Sequence, residues 1–369
     1  MADRNILIIN SCSKRKGPLT DVFKELEKDG YIFNWLFSKK NIYFGPRPNG
    51  IFKLVVFIIL WPFLSFYQLF FLMFKKNKTR AIICFGWNEK IIFTPLARLL
   101  GIKMIWLEYP DADYRDKSNF FVFLYRFCSR WATIVVFINI SKLFLKQINI
   151  DQGNIKVIPL GIKLDKYGRQ DTIFSSLART EHLKFNRKYF TIGATSNFRD
   201  PRQIESLFQA VKICLLVIPN LQLIIIGDGP ERKNLNWLAK KMEINNIVWF
   251  VGESAESGQA AYFKKWFDSF DVFITACRLA RLFDLKMTLI AMASGLSVIG
   301  FKNMGFEDII REKTGLLIES NNNEILAREI IELYKNSRLR INLGKNAREQ
   351  VDKNYNIDKM IEKFAEILD

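Results

Sequence analysis

The chain has 369 residues, of which 49% are hydrophobic and 25% charged, a composition typical of a globular protein long enough for two domains. Its net charge of +18 suggests an anionic partner, such as an acidic lipid, a phosphate-bearing substrate or a nucleic acid. The single histidine excludes a histidine-based metal site or catalytic triad, and the five widely spaced cysteines predict reduced, mostly buried thiols.

The chain begins with a predicted strand, a basic loop and a helix. Apolar residues within 4–10 predict the strand, and the helix is expected to extend to residue 27. The loop between them, 11–19, contains Lys16 and Gly17 among further basic residues. Lysines in such a loop could bind phosphate as point charges, or the loop could simply be solvated.

Residues 54–74 form an uncharged apolar run of 21 residues, which is long enough to span a bilayer. The run is not a signal peptide, because it lies far from the N-terminus and follows a predicted strand. Basic residues flank it on both sides, a pattern that favours neither orientation in a membrane. They are Lys39, Lys40, Arg47 and Lys53 before the run, and Lys75, Lys76, Lys78 and Arg80 after it.

A single membrane span at 54–74 would separate two strands that we expect in one sheet, 6–9 and 81–85. Pro62, near the middle of the run, would favour a bend. We therefore predict an in-plane or re-entrant anchor at the cytoplasmic face of a membrane, with the basic residues on anionic headgroups. The alternative is a buried helix of the first domain. The aromatic and basic stretch 119–131 either widens the same membrane surface or packs as an amphipathic helix.

Two further strands are predicted over 81–86 and 103–107, with a helix between them around 91–100. Glu108 and Asp111 follow the second of these strands. Acidic groups in this position could orient a hydroxyl or act as a general base, although charged residues also commonly mark the end of a strand.

Alternating strands and helices continue towards the C-terminus. The polar segment 165–188 separates two groups of them and predicts a domain boundary. Such alternation indicates parallel βαβ units, and ligands bind outside the carboxyl ends of the strands in these sheets. The predicted strands are 134–138, 189–193, 223–226, 248–251, 272–275 and 296–300, and the predicted helices are 287–293 and an amphipathic one at 354–369.

Five motifs follow the polar segment in a fixed order. They are G-D-G-P at 227–230, V-x-F-x-G at 248–252, A-M-A-x-G-x-x-V-I at 291–299, G-x-x-D-x-I at 305–310 and T-G-L-L-I at 314–318. In this order and spacing they resemble the retaining GT-B glycosyltransferases of family 4, the glycosyl transferases group 1. The resemblance covers 155–333 well and the N-terminal half in outline.

The resemblance implies an α/β GT-B fold, with two Rossmann-like domains whose parallel sheets face each other across a cleft. The first would be an N-terminal acceptor domain (1–165) that includes the membrane-associating segment 54–74. A linker (166–188) would lead to a nucleotide-sugar domain (189–349), and a C-terminal helix (350–369) would pack back on the first domain.

The resemblance also implies where the substrates bind. In relatives an Arg and a Lys hold the donor diphosphate; Arg202 lies at the Lys position, and the Arg position falls near Asn197. The helix after Asp284 would add its free amide groups, from Leu285 to Thr288, as further diphosphate ligands. The donor-binding candidates are therefore Asn197, Arg199, Arg202, Gly252, Glu253, Asp284, Leu285, Lys286, Met287 and Thr288; the N-terminal phosphate loop is Lys16 and Gly17, and the catalytic candidates facing the acceptor are Glu108 and Asp111.

The chain departs from the family at two glutamates eight positions apart, which are here Leu282 and Ile290. Neither side chain can hydrogen-bond a sugar or ribose hydroxyl. Asp284, close to the first position, either partly replaces the missing acid or only caps the helix. Leu160 and Lys163 also replace the Asn and Asp of the family's I-P-N-G-V-D segment.

Our first hypothesis is a membrane-associated, hexosyltransferase-type enzyme that moves a sugar from a nucleotide-sugar donor to a lipid-linked or polysaccharide acceptor with retention. The nucleotide sugar is a substrate, and we expect no cofactor and no metal. The alternative hypothesis is a catalytically impaired pseudo-glycosyltransferase that binds a membrane or a protein partner. We expect no nucleic-acid partner, because the basic residues are scattered over both halves rather than gathered in a nucleic-acid-binding motif.

Overall fold

The computed structural model describes the chain in eleven stretches. They are 4–10, 19–37, 79–109, 119–166, 189–196, 198–252, 264, 266–276, 281–302, 305–319 and 322–369. Outside them lie Lys16, Gly17, Asp111, Asn197, Glu253, the apolar run 54–74 and most of the linker 166–188, so the expectations about these residues remain predictions.

The described residues contain twelve β-strands, most of them short and apolar. They are β1 (Asn5–Asn10), β2 (Ile32–Phe37), β3 (Ala81–Cys84), β4 (Lys103–Glu108), β5 (Thr133–Val136), β6 (Ile155–Val157), β7 (Phe190–Thr195), β8 (Leu221–Ile226), β9 (Val248–Val251), β10 (Val272–Ile274), β11 (Ser297–Phe301) and β12 (Leu316–Ile318).

Ten α-helices connect or follow these strands in the same part of the chain. They are α1 (Thr20–Lys28), α2 (Trp87–Leu100), α3 (Asn119–Ser129), α4 (Asn139–Gln147), α5 (Pro201–Cys214), α6 (Arg232–Lys241), α7 (Leu282–Ala293), α8 (Asn323–Lys335), α9 (Ser337–Asn354) and α10 (Ile357–Leu368).

The strands form two six-stranded sheets in which every described pairing is parallel. The first sheet has the order β2-β1-β3-β4-β5-β6, and the second has the order β12-β11-β10-β7-β8-β9. Parallel strands covered by helices on both faces are continuous apolar runs, as in β3, whose residues are all buried. Both sheets therefore confirm the predicted α/β class.

The chain divides into two compact units. The first comprises Met1–Pro159 together with Met360–Asp369, and the second comprises Leu160–Lys359. Within the first unit the C-terminal residues contact the edge of the sheet, where the Tyr31 hydroxyl donates to the Asp369 carboxylate at 3.2 Å. Arg80, one of the cations expected at a lipid headgroup, also pairs with Asp369.

Two predicted helices have different limits in the structure. The helix predicted over 287–293 begins five residues earlier, because α7 starts at Leu282. The C-terminal element predicted over 350–369 is not one helix: its first residues complete α9, which ends at Asn354, and α10 starts at Ile357. None of the helices in the described part of the chain is both long and apolar enough to cross a membrane.

Candidate functional site

The carboxyl edge of the second sheet brings the predicted donor-binding residues together. The strands β10, β7, β8 and β9 are neighbours in the sheet, so the turns that follow them lie side by side. The turn after β7 carries Arg199 and leads to Arg202 at the start of α5, and the turn after β8 carries G-D-G-P. Gly252 follows the last residue of β9, and α7 follows β10. This edge is where ligands bind in open parallel sheets.

The N-terminus of α7 is closed by an ion pair that was not predicted. Arg281 donates from Nε to Asp284 Oδ2 at 2.6 Å and from Nη2 to Oδ1 at 2.8 Å. The Arg281 main-chain N–H donates to Asp284 as well, at 3.2 Å. The Asp284 side chain is only 3% exposed. Asp284 therefore caps the helix, and of the two roles left open for it the geometry favours capping.

The early start of α7 corrects the predicted diphosphate ligands. The Leu285 amide donates to the Arg281 carbonyl at 3.0 Å, so it is part of the helical ladder. The amide groups outside that ladder belong to the turn that starts at Leu282, three residues before the predicted position. The physical reason is the cap: Asp284 reaches back to Arg281 and so sets the first turn there.

Most side chains of α7 are buried in the interior of the second unit. Leu285, Met287 and Thr288 are buried, and the Thr288 hydroxyl donates to the Asp284 carbonyl at 2.8 Å. The hydroxyl is thus bonded within the helix rather than directed at a donor, which corrects its predicted role. Lys286 is half-buried. Leu282 and Ile290, which replace the family glutamates, are buried too.

Arg202, the residue at the Lys position of the family, lies at the start of α5 and is well exposed. Its guanidinium donates to both carboxylate oxygens of Asp200, from Nε at 2.9 Å and from Nη2 at 2.8 Å. These hydrogen bonds raise the pKa of the Arg202 guanidinium above its ordinary value. Asp200 also accepts from the Arg202 amide and caps α5. Arg199, three residues earlier, is exposed.

A glycine defines the turn after β8, and an arginine connects this turn to the end of β9. Gly227 has a φ of +150°, and a Cβ atom there would lie 1.7 Å from the carbonyl oxygen of Ser196. The glycine of G-D-G-P therefore lets the turn after β8 pack directly on the turn after β7. Near Gly252, Arg232 donates from Nη2 to the Phe250 carbonyl at 3.0 Å, and its Nη1 lies 3.5 Å from Asp228. Arg232 thus links the G-D-G-P turn to the end of β9.

Arg232 and Arg281 were not among the predicted site residues. Arg281 stands three positions before Asp284, a helix-cap spacing that a search for N-terminal capping pairs would have found. Arg232 has no comparable local signal, because its acceptor, the Phe250 carbonyl, is supplied by a neighbouring strand.

Glu108, a predicted catalytic residue in the first unit, is buried at the carboxyl end of β4. Lys90 forms an ion pair with its carboxylate and donates to the Leu107 carbonyl at 2.8 Å. The Tyr125 hydroxyl donates to the same Glu108 oxygen as Lys90. The side chains of Lys90 and Glu108 are each 1% exposed. The carboxylate is therefore held by three elements, α2, β4 and α3, and its predicted role as a base remains a prediction.

Aromatic rings and a thiol surround this ion pair. The Tyr125 ring lies 4.2 Å from Trp87 and 4.6 Å from Trp106, centroid to centroid. Burial raises the pKa of the Cys84 thiol well above its ordinary value, and the nearby Glu89 carboxylate adds to the shift. No group of side chains suited to a metal ion occurs in the residues that the structure covers.

Comparison with known proteins identifies the second unit more closely than the first. A family model described as glycosyl transferases group 1 matches residues 178–350. The chain is 27% identical over 178 residues to N-acetyl-alpha-D-glucosaminyl L-malate synthase of Bacillus anthracis, covering 47% of this chain and 43% of that protein. It is 29% identical over 165 residues to alpha-monoglucosyldiacylglycerol synthase of Streptococcus pneumoniae, covering 43% of this chain and 35% of that protein. The chain thus aligns with less than half the length of these curated relatives.

The structural comparison extends over the whole chain. The crystal structure of HepE from Anabaena, solved in complex with UDP, superposes with a TM-score of 0.75 at 15% identity and covers 99% of both chains. At this identity the likeness concerns the fold alone. It confirms the predicted fold class, in which each Rossmann-like half has its own parallel sheet.

Proposed function

We propose that this chain, a divergent GT-B protein whose residues 178–350 belong to glycosyl transferases group 1, transfers a sugar from a nucleotide-sugar donor to an acceptor at a membrane surface. The observation that carries the proposal is the carboxyl edge of the second sheet. There the capped N-terminus of α7, the β7–α5 turn that leads to Arg202 and the tight G-D-G-P turn lie side by side. All three elements belong to, or adjoin, the five motifs that match the family.

The donor diphosphate is assigned to the first turn of α7 and to Arg202. Amide groups at a helix N-terminus and the positive end of the helix dipole favour an anion. The carboxylate of Asp284 would repel a diphosphate there, but Arg281 neutralises it through two hydrogen bonds. Arg202 would exchange Asp200 for phosphate oxygens, because a guanidinium fork suits either partner and this pair is open to solvent.

Sugar transfer with retention needs few further groups from the protein. The diphosphate leaves while the acceptor hydroxyl attacks the same face of the sugar, and the leaving oxygens take the acceptor proton. The protein stabilises the negative charge that grows on the diphosphate. The acceptor is lipid-linked or a polysaccharide. The Streptococcus pneumoniae relative is by name an alpha-monoglucosyldiacylglycerol synthase, which supports a lipid acceptor for this chain.

The proposal is tested by calorimetric titration of the full-length protein with UDP, GDP and their common sugar conjugates. We expect one nucleotide to bind with a micromolar Kd, and Arg202→Ala to weaken it tenfold or more, because a charge-assisted hydrogen bond contributes roughly 1.5–3 kcal/mol. Arg328→Ala is the matched control, since Arg328 is equally exposed and also pairs with a neighbouring acid, Glu329. It should leave the Kd unchanged.

Two results would contradict the proposed function. One is the absence of nucleotide binding at millimolar concentrations, which would fit the catalytically impaired alternative. The other is binding without any sugar transfer or donor hydrolysis across a broad panel of nucleotide sugars.

A further inference from the structure

The outer face of α3 carries a stripe of exposed phenylalanines. Phe120, Phe123 and Phe127 are 55%, 58% and 43% exposed, and their spacing of three and four residues places them on one side of the helix. The opposite side packs into the core of the first unit through the buried Tyr125 and Cys128. A helix that only packs on a sheet would present polar residues outward, so this stripe is an apolar surface that the fold does not need.

A basic pocket lies at the C-terminal end of this stripe. It has a volume of about 360 Å³ and is lined by Arg98 at the end of α2, Lys103 at the start of β4 and Arg130 after α3. No acidic side chain lines it among the residues that the structure describes. Trp131 also lines the pocket, and its ring lies 4.8 Å from that of Phe127. The phenylalanine stripe and the basic pocket therefore form one continuous surface, which we name the α3 surface.

The three cations of the α3 surface are available to an external anion. Arg98, Lys103 and Arg130 are exposed, and within the described residues none of them forms an ion pair. They lie at the amino-terminal edge of the first sheet, since Lys103 opens β4 and Arg130 precedes β5. Glu108 stands at the opposite, carboxyl edge. The basic pocket thus lies at the edge of the sheet opposite to Glu108.

We propose that the α3 surface docks on an anionic phospholipid bilayer. Phenylalanines next to unpaired cations match the two layers of a bilayer surface, because the rings enter the acyl boundary while the guanidinium and ammonium groups contact headgroup phosphates. A folded protein partner would need acidic residues against this pocket, and a nucleic-acid duplex would offer phosphates to the cations but no apolar layer to the phenylalanines. The net charge of +18 adds long-range attraction to an anionic membrane. The inference rests on the proposed function, since docking would bring the enzyme to a lipid-linked acceptor.

Flotation of the full-length protein with vesicles tests the proposal. The vesicles are phosphatidylcholine alone or mixed with phosphatidylglycerol, and no nucleotide is present. We expect binding to the anionic vesicles only, and weaker binding in high salt. Arg98→Gln/Lys103→Gln/Arg130→Gln should lower the partition coefficient on the order of 100-fold, because each basic residue near such a surface contributes roughly fivefold. Phe120→Ser/Phe123→Ser should lower it as well.

Matched variants in the second unit control for overall charge and hydrophobicity. Lys212→Gln/Lys240→Gln/Lys335→Gln removes the same charge from exposed positions, and Leu216→Ser/Ile341→Ser removes two exposed apolar side chains. We expect both controls to bind vesicles as the wild type does. If the two triple charge variants lose equal amounts of vesicle binding, only the net charge of the protein matters. The α3 surface would then not be the docking site.

A local probe separates the α3 surface from any contribution of the apolar run 54–74. An environment-sensitive dye is attached at Phe123→Cys, or at Leu216→Cys as control, in a Cys12→Ser/Cys277→Ser background that leaves only buried native thiols. Anionic vesicles should shift the emission of the dye to the blue at position 123 and not at 216. An unchanged spectrum at 123 overturns the inference even if the protein floats. UDP titration of the same samples reports on the donor site separately, so failure of docking and failure of the proposed function are distinguishable.

Discussion

Arg281 and Asp284 form a bidentate ion pair across the first turn of α7, with Nε–Oδ2 and Nη2–Oδ1 distances of 2.6 and 2.8 Å. The two partners are unequally buried, because 23% of the Arg281 side chain is exposed but only 3% of Asp284. Removing the arginine therefore leaves a carboxylate without its counter-charge in the interior, whereas removing the carboxylate leaves an arginine that can turn towards solvent.

This asymmetry predicts unequal losses of stability. Arg281→Met should lower the free energy of unfolding by roughly 3–5 kcal/mol, and Asp284→Asn by about 1–2 kcal/mol. Urea unfolding of the two variants and the wild type measures both values. Equal losses would indicate that Asp284 is reached by water or by a partner that replaces Arg281.

The buried pair of Lys90 and Glu108 predicts strong coupling between their substitutions. Lys90→Met or Glu108→Gln alone breaks the pair and should cost roughly 3–5 kcal/mol of unfolding free energy, because one polar partner stays buried. The double variant should cost less than the sum by about 1–3 kcal/mol. A complete double-mutant cycle in urea gives this coupling.

The same variants test the predicted catalytic role of Glu108. If Glu108 only positions α2 and α3 around β4, sugar transfer by Glu108→Gln should fall in proportion to the loss of folded protein. A drop in turnover per folded molecule of about 10²–10⁴ would instead identify Glu108 as a general base.

We predict that position 227 does not tolerate a side chain as small as a methyl group. In Gly227→Ala the new Cβ would lie 1.7 Å from the Ser196 carbonyl oxygen, so the turns after β7 and β8 must separate. We expect a loss of more than about 3 kcal/mol in unfolding free energy, and weaker nucleotide binding. Gly101→Ala is the control, since Gly101 also has a positive φ, +70°, but nothing lies within 4 Å of its Cβ position. It should cost only about 1–2 kcal/mol, the strain of the left-handed backbone.

The buried thiols predict resistance to alkylation. Burial raises the pKa of Cys128 and of Cys214 to about 12, and it raises the pKa of Cys84 as well. Because the thiolate is the reactive form, iodoacetamide at pH 8 should leave these three cysteines unmodified in the folded protein and alkylate them in guanidinium chloride. Peptide mass spectrometry distinguishes the sites. Modification of Cys128 under native conditions would contradict its burial.

The raised thiol pKa values also predict a loss of stability in alkali. The unfolded chain releases its thiol protons near the ordinary value of 9.0, whereas folded Cys128 and Cys214 hold theirs to about 12. Stability from this source is complete below pH 9 and is lost as the pH rises towards 12. Burial of Tyr355 acts in the same direction, because it raises the pKa of that phenol. Urea unfolding at pH 8, 9 and 10 should therefore give decreasing free energies.

Local sequence patterns predicted the fold because both sheets are parallel. A parallel strand is buried on both faces and therefore reads as a continuous apolar run, such as Ala81–Cys84, without knowledge of its neighbours. The turn glycines of the motifs are equally local, since Gly227 is required by the backbone at one position. The predicted start of α7 was too late because the cap of this helix depends on Arg281, which is not part of the family motifs.

The sequence by itself determined the α/β class, the order of the motifs and the loss of both family glutamates, because these follow from residue identity and short-range periodicity. Only the tertiary structure decided which polar residues remain open to a substrate. The sequence left a substrate-binding or catalytic role open for both Glu108 and Asp284, yet each is buried against a cation, Lys90 or Arg281. The exposed face of α3 was also decided only by packing, since burial of a side chain depends on neighbours far away in the chain.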